Sequence, residues 1–213
     1  MLENQMMLLA VFERAALMLM TLFLLTRTRP FQRLFQKRDH TPAELVLVAA
    51  IFCLFAVFST YTGIPVEGAL INVRIIAIIS GGILFGPWVG IPAGVISGLH
   101  RYLIDMDGHT SIPCLIASII AGLLATWLHL RCRKSRLWLY GILAGMLCEG
   151  LTMLLIWLLT EPHEVGVEIV SHIAYPMIAG ALCIGLIIKL VQDLDDEKEL
   201  IAAKQAKLAL DIA

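Results

Sequence analysis

The stretch INVRIIAIISGGILFGPWVGIPAGVISGLHRYL, residues 71–103, decides the fold. It is apolar for longer than the roughly 20 residues that one bilayer crossing needs, yet Gly86-Pro87 interrupts it in the middle. Proline removes a backbone donor and disfavours helix at the preceding residue. The stretch therefore reads as two arms bent at that point. Gly82, Gly86, Gly90, Gly94 and Gly98 recur every four residues along it. This is a chained small-residue face, which lets helix backbones approach closely in lipid. The helical spacing of the glycines, with no Lys-Ser/Thr after them, excludes a phosphate-cradling loop.

The rest of the chain prefers the same solvent. Of its 213 residues, 59% are hydrophobic and only 15% charged, with a mean hydropathy of +0.86. A soluble domain runs nearer 45–50% apolar and about 25% charged. That balance excludes a soluble enzyme, a disordered chain and a nucleic-acid binder. Further apolar runs cover residues 6–25, 44–61, 112–130, 137–159 and 168–191. Lipid forces each backbone polar group to pair within its own segment, so the expected class is all-α, a polytopic transmembrane helical domain. The first charge is Glu3, and Glu13 and Arg14 interrupt the first run. The N-terminus therefore reads as a retained first span and not as a cleavable signal.

Charge placement orients the expected spans. Arg27, Arg29, Arg33, Lys37 and Arg38 crowd one loop, and Arg131, Arg133, Lys134 and Arg136 another. Both read as cytoplasmic by the positive-inside rule. Residues 62–70 and 161–166 carry no Lys or Arg and read as external. Parity then requires residues 71–103 to enter and leave on one side. The expectation is six or seven membrane segments, including a Gly-rich bent hairpin, with the N-terminus outside and the C-terminus inside.

Two residues of this stretch carry candidate chemistry. Arg74 and Arg101 flank the bend almost symmetrically and share the glycine face of their arms. An arginine within a membrane is costly and faces an interior or a cavity. Two converging guanidinium forks suit a small carboxylate, which each can grip bidentately. The plainer alternative pairs Arg74 with Glu67, and Arg101 with Asp105 at i,i+4. The next helix opens Thr110-Ser111-Ile112-Pro113-Cys114, with Ser118 one turn beyond. It offers a thiol and hydroxyls at the level of the arginines. Glu149 and the Glu13/Arg14 pair read as structurally paired charges. The five cysteines form no C-x-x-C pair, and His100 and His172 are lone imidazoles. Neither a metal nor another cofactor is expected, and no catalytic constellation is recognisable.

The last run continues past the membrane without Gly or Pro to Ala213. Val191, Leu194, Ile201 and Leu208 approximate a 3.5-residue stripe, interrupted by Lys198 and Gln205. The expected organisation is a transmembrane domain over 1–191 and a cytoplasmic helix over 192–213, continuous with the last span and able to transmit motion.

Several motifs in combination are familiar. Asn72-Val73-Arg74, the Ser80-Gly81-Gly82-Ile83-Leu84-Phe85-Gly86-Pro87 core and Gly98-Leu99-His100-Arg101-Tyr102 together resemble the membrane sensor domain of LytS-type histidine kinases. The likeness is nearest to the branch that senses external pyruvate in enteric bacteria, and it covers essentially the whole chain. It implies a multi-span domain of the bacterial inner membrane. It further implies a homodimer, following GAF-like and histidine kinase domains, and a LytR-type response regulator as partner. The ligand-binding residues it implies are Arg74, Arg101 and Cys114. Its serine position falls on Ala117 here, beside Ser118.

The expected function is therefore a sensor input domain that is not itself an enzyme. It binds a small external carboxylate, pyruvate, through Arg74, Arg101, Cys114 and Ser118, and signals through its last helix. The rival reading is a solute-capturing component of a transporter for an organic acid or vitamin. The continuing C-terminal helix disfavours that, since capture needs no such lever.

Overall fold

The structure, a computed structural model, describes residues 2–26, 41–66, 69–132 and 136–212. Its helices are α1 (Leu2–Thr26), α2 (Pro42–Tyr61), α3 (Arg74–Phe85), α4 (Pro87–Ile104), α5 (Ser111–Arg131), α6 (Leu137–Leu159), α7 (His163–Gly180) and α8 (Leu182–Ile212). Between α2 and α3 lies a short antiparallel ribbon, β1 (Ile64–Val66) and β2 (Ala69–Ile71), with Pro65 opposite Leu70. This ribbon departs from a purely helical expectation.

Local chemistry sets the element ends. A capping box starts α2: Thr41 N–H donates to Glu44 Oε2 at 2.9 Å and Glu44 N–H to Thr41 Oγ1 at 3.4 Å, which satisfies two orphan donors at once. At the other end of the central stretch, Gly86 separates α3 from α4 at φ +77°. A side chain is disfavoured there, and one built at Gly86 would also meet the His129 ring at 2.9 Å. His129 Nδ1 lies 2.8 Å from the Ile83 carbonyl, in hydrogen-bond contact with the end of α3.

The isoleucine-rich α3 is the core of the molecule. Every residue of it but Leu84 is buried, and α2, α4, α5, α6 and α8 all pack against it. Apolar side chains left exposed, such as Leu54, Phe58, Trp127 and Leu147, lie on the outer faces of α2, α5 and α6. Those faces suit a hydrocarbon solvent.

The expected six or seven membrane segments with a Gly-rich bent hairpin are corrected here. Among the described residues, four helical stretches are long and apolar enough to cross a bilayer: Pro42–Tyr61, Ser111–Arg131, Leu137–Leu159 and the His163–Leu194 stretch. Helix α3 has 12 residues. At 1.5 Å per residue it rises about 18 Å, against a hydrocarbon thickness of about 30 Å. The glycine stripe does not make 71–103 a self-contained membrane element either. A Cβ on Gly82 would lie 2.6 Å from Ala125 Cβ, one on Gly94 2.5 Å from the Ser118 carbonyl oxygen, and one on Gly122 2.5 Å from the Gly90 carbonyl oxygen. The small residues are the seam of α3 and α4 against α5. Without the hairpin, the parity behind an external N-terminus and an internal C-terminus no longer holds. Arg27–Arg38 and two residues of the second basic loop, Arg133 and Lys134, lie outside the described residues.

Gly94→Ala should therefore destabilise the fold by roughly 1–3 kcal/mol, because backbone must shift to admit the methyl. Gly150→Ala should be neutral or slightly stabilising, since nothing lies within 4 Å of that position. Thermal unfolding of the two variants in detergent checks the contrast.

Candidate functional site

The ribbon and α3 meet at Asn72, whose side chain joins them. Its Nδ2 donates to the Leu70 carbonyl at 3.2 Å, and its Oδ1 accepts the Arg74 N–H at 3.1 Å. This bond satisfies one of the orphan N–H groups at the start of α3, whose N-cap is Val73, and fixes where Arg74 leaves the backbone. The Arg74 side chain is 2% exposed. Its Nη2 donates to the Cys114 carbonyl at 3.5 Å, while Nε and Nη1 have no partner among the described residues. Ser118 Oγ donates to the same Cys114 carbonyl at 2.6 Å.

Arg101 lies in the last turn of α4, where the helix dipole favours a cation. It is 1% exposed and far better satisfied than Arg74. Nη1 and Nη2 both donate to Asp105 Oδ2 at 3.3 Å, Nη2 to Thr110 Oγ1 at 3.0 Å and Nη1 to Ser111 Oγ at 3.4 Å. Ser111 in turn donates to the Asp105 carbonyl, which ties the loop after α4 to the start of α5. Only Nε of Arg101 is left without a partner.

The four site residues expected from sequence thus gather where the first two turns of α5 meet α3 and α4. Arg74, Cys114 and Ser118 share one carbonyl. Arg101 holds Ser111, one helical turn before Cys114. Gly98, one turn before Arg101, faces Ser118: a Cβ there would lie 3.1 Å from Ser118 Cβ. Ala117, at the resemblance's serine position, is buried.

The plainer alternative for Arg101, pairing with Asp105, is present, whereas Glu67, the alternative partner of Arg74, lies outside the described residues. Burial first, and the Arg74 charge second, lower the pKa of His100. His100 packs against the Tyr61 ring at 5.0 Å between ring centres. Glu149 is 4% exposed on α6, and its Oε2 has no partner. Sequence reasoning missed the Cys114 carbonyl as an acceptor, because every residue carries a carbonyl and none is marked in the sequence. Glu13 and Arg14 line a separate cavity of about 270 Å³ between α1 and α2. Arg14 Nη1 has no partner there. No group of His, Cys, Asp and Glu among the described residues could hold a metal ion.

A polytopic helical membrane domain with two buried guanidinium groups at one helix junction is the class that fold and site define. The chain belongs to the family described as the 5TMR of 5TMR-LYT, whose model matches residues 28–194. It is 60% identical to the sensor histidine kinase YpdA of Escherichia coli (strain K12) over 97% of this chain and 37% of that protein. It is 32% identical to the sensor histidine kinase BtsS of the same strain over 79% of this chain and 31% of that protein. Against the sensor protein LytS of Bacillus subtilis (strain 168), identity is 30% over 79% of this chain and 31% of that protein. The chain therefore spans about a third of the length of these relatives. No solved structure matches it. It is a sensor domain of the LytS type and a multi-pass protein of the bacterial inner membrane.

Asn72→Ala should cost about 1 kcal/mol of stability, as loss of a buried side-chain hydrogen bond does, while Asn72→Asp, which keeps the acceptor, should cost less. Denaturant or thermal midpoints of the two variants measure this.

Proposed function

We propose that this domain is the input module of a two-component sensor histidine kinase and that its ligand is pyruvate. The observation that carries the ligand reading is the Arg74 fork: a guanidinium buried to 2% exposure with Nε and Nη1 unpartnered. Leaving donors of a buried cation unmade is costly. A carboxylate accepting from both nitrogens would remove that cost through two charge-assisted bonds in a geometry matched to the fork. The free Nε of Arg101 and the side chains of Cys114 and Ser118 supply further polar contacts for a keto-acid. The family and the names of the relatives support the kinase reading, and the resemblance to the pyruvate-sensing branch supports the ligand.

Signal output in this proposal runs through α8, a helix of 31 residues. Its first half is packed in the core at Ile184, Ile187, Ile188 and Val191, while Leu200 and Ile201 are exposed. A ligand can bias such an element only by binding two arrangements of the domain with different affinities. Pairing of α8 with its copy in a homodimer would join the two protomers, with the kinase and a LytR-type response regulator downstream.

Calorimetry of the purified domain should show binding of pyruvate, with lactate and acetate as comparisons. Arg74→Ala should weaken pyruvate binding at least about 30-fold, the cost of stripping one partner from a buried charge pair. Arg74→Lys should not restore it, since a point charge lacks the fork. Unchanged affinity in a folded Arg74→Ala protein overturns the ligand assignment. For the output, cysteines introduced at Leu194 and Ile201 should crosslink between protomers in membranes, to an extent that changes with pyruvate. Absence of crosslinks at both positions removes α8 as the dimer seam.

A further inference from the structure

The two guanidinium groups are equally buried but unequally compensated. Among the described residues, Arg74 donates to one neutral carbonyl and to no carboxylate. Arg101 places both terminal nitrogens on Asp105 Oδ2 at 3.3 Å and has two hydroxyl acceptors besides. Within hydrogen-bond contact of the two forks there are thus two positive charges and one negative charge. Asp105 is not a core group. It sits in the loop between α4 and α5, with its side chain 43% exposed, and helix geometry alone would not hold it there, because it lies just past the last helical residue, Ile104.

We propose that Asp105 is a specificity-determining residue of this site. By compensating Arg101 it leaves the two-arginine junction with one unmatched positive charge, so that the site accepts a monocarboxylate and discriminates against a dicarboxylate of similar size. The inference rests on the carboxylate-binding reading above and deepens it from a ligand to a ligand class. The Arg74 fork, with two free donors, takes the carboxylate of the monoanion. A second carboxylate would have to turn to Arg101, where Asp105 already occupies the terminal nitrogens and repels it.

The charge arithmetic makes this testable. Coulomb energy scales with the product of the charges. Removing the Asp105 charge therefore improves binding of a dianion by about the square of the factor by which it improves binding of a monoanion. Asp105 is partly solvated, so the monoanion factor is moderate, on the order of tenfold, and the dianion factor on the order of a hundredfold. Among the described residues, Glu149 on α6 makes no hydrogen bond to either guanidinium and is unaltered by the substitution.

Pyruvate and malonate, three-carbon mono- and dicarboxylates, are titrated calorimetrically into the purified chain in lipid nanodiscs at pH 7.5. The chain is tested as wild type, Asp105→Asn and Asp105→Ala. The expected result is that wild type prefers pyruvate and that both variants shift the pyruvate-to-malonate affinity ratio about tenfold toward malonate. A ratio unchanged within twofold, with pyruvate still bound, overturns the proposal and leaves Asp105 as a support for Arg101 alone. Loss of both ligands in both variants overturns it likewise. If wild type binds neither compound, the carboxylate reading itself fails and this inference with it. Pyruvate binding that is lost in Arg74→Ala, beside an unmoved ratio in Asp105→Asn, keeps the site and removes only the selectivity role.

Discussion

Close approach of three backbones is the constraint on which the rest of this structure depends. Gly82 faces Gly90 and Ala125, Gly94 faces the Ser118 carbonyl, and Gly122 faces the Gly90 carbonyl. Each contact is too short to admit a methyl group. In lipid, where apolar side chains gain little by leaving one apolar medium for another, helices associate through such packing. The seam fixes α5 against α3 and α4. Its outer end then delivers the Cys114 carbonyl to Arg74, and the Thr110 and Ser111 hydroxyls to Arg101.

A buried guanidinium in a membrane domain must be met by acceptors or it is prohibitively costly. Arg101 is met internally, by a carboxylate and two hydroxyls. Among the described residues Arg74 is not, and two of its donors stay open. Asn72 fixes the backbone from which it projects, through one bond back into the ribbon and one forward into the helix. The site is thus assembled from short-range caps and long-range glycine contacts acting on the same few residues. Anything that shifts α5 along α4 also changes what surrounds Arg74. Helices α6 and α8 pack on the same central α3 whose first residue is Arg74.

Much of the site was legible before the fold. Arg74 and Arg101 stood out because arginine is rare in an apolar run, and Asp105 stood out as an acid four residues after Arg101, although it sits just past the end of α4. The helical character of most of the chain was legible for the same reason, since lipid leaves the backbone few alternatives. The number of crossings was not. Hydropathy marks where a chain can enter a bilayer, but α3 ends after 12 residues and sinks into protein instead of lipid. A fully buried helix and a lipid-facing one have the same composition.

By itself, the sequence determined the solvent, the secondary-structure class, the bend at Gly86 and the two cations that must be answered, because each is a property of local chemistry. Only the tertiary structure decided which partners answer them. It gave Arg101 a carboxylate and two hydroxyls from the loop and α5 and left Arg74, among the described residues, with a single carbonyl. It also turned a glycine stripe that looked like a hairpin's own face into a seam with a third helix. The physical reason is that acceptors such as Ser111 and the Cys114 carbonyl, and the close backbone contacts of the glycines, come from residues distant in the sequence, and their approach depends on how helices pack, which no local pattern records.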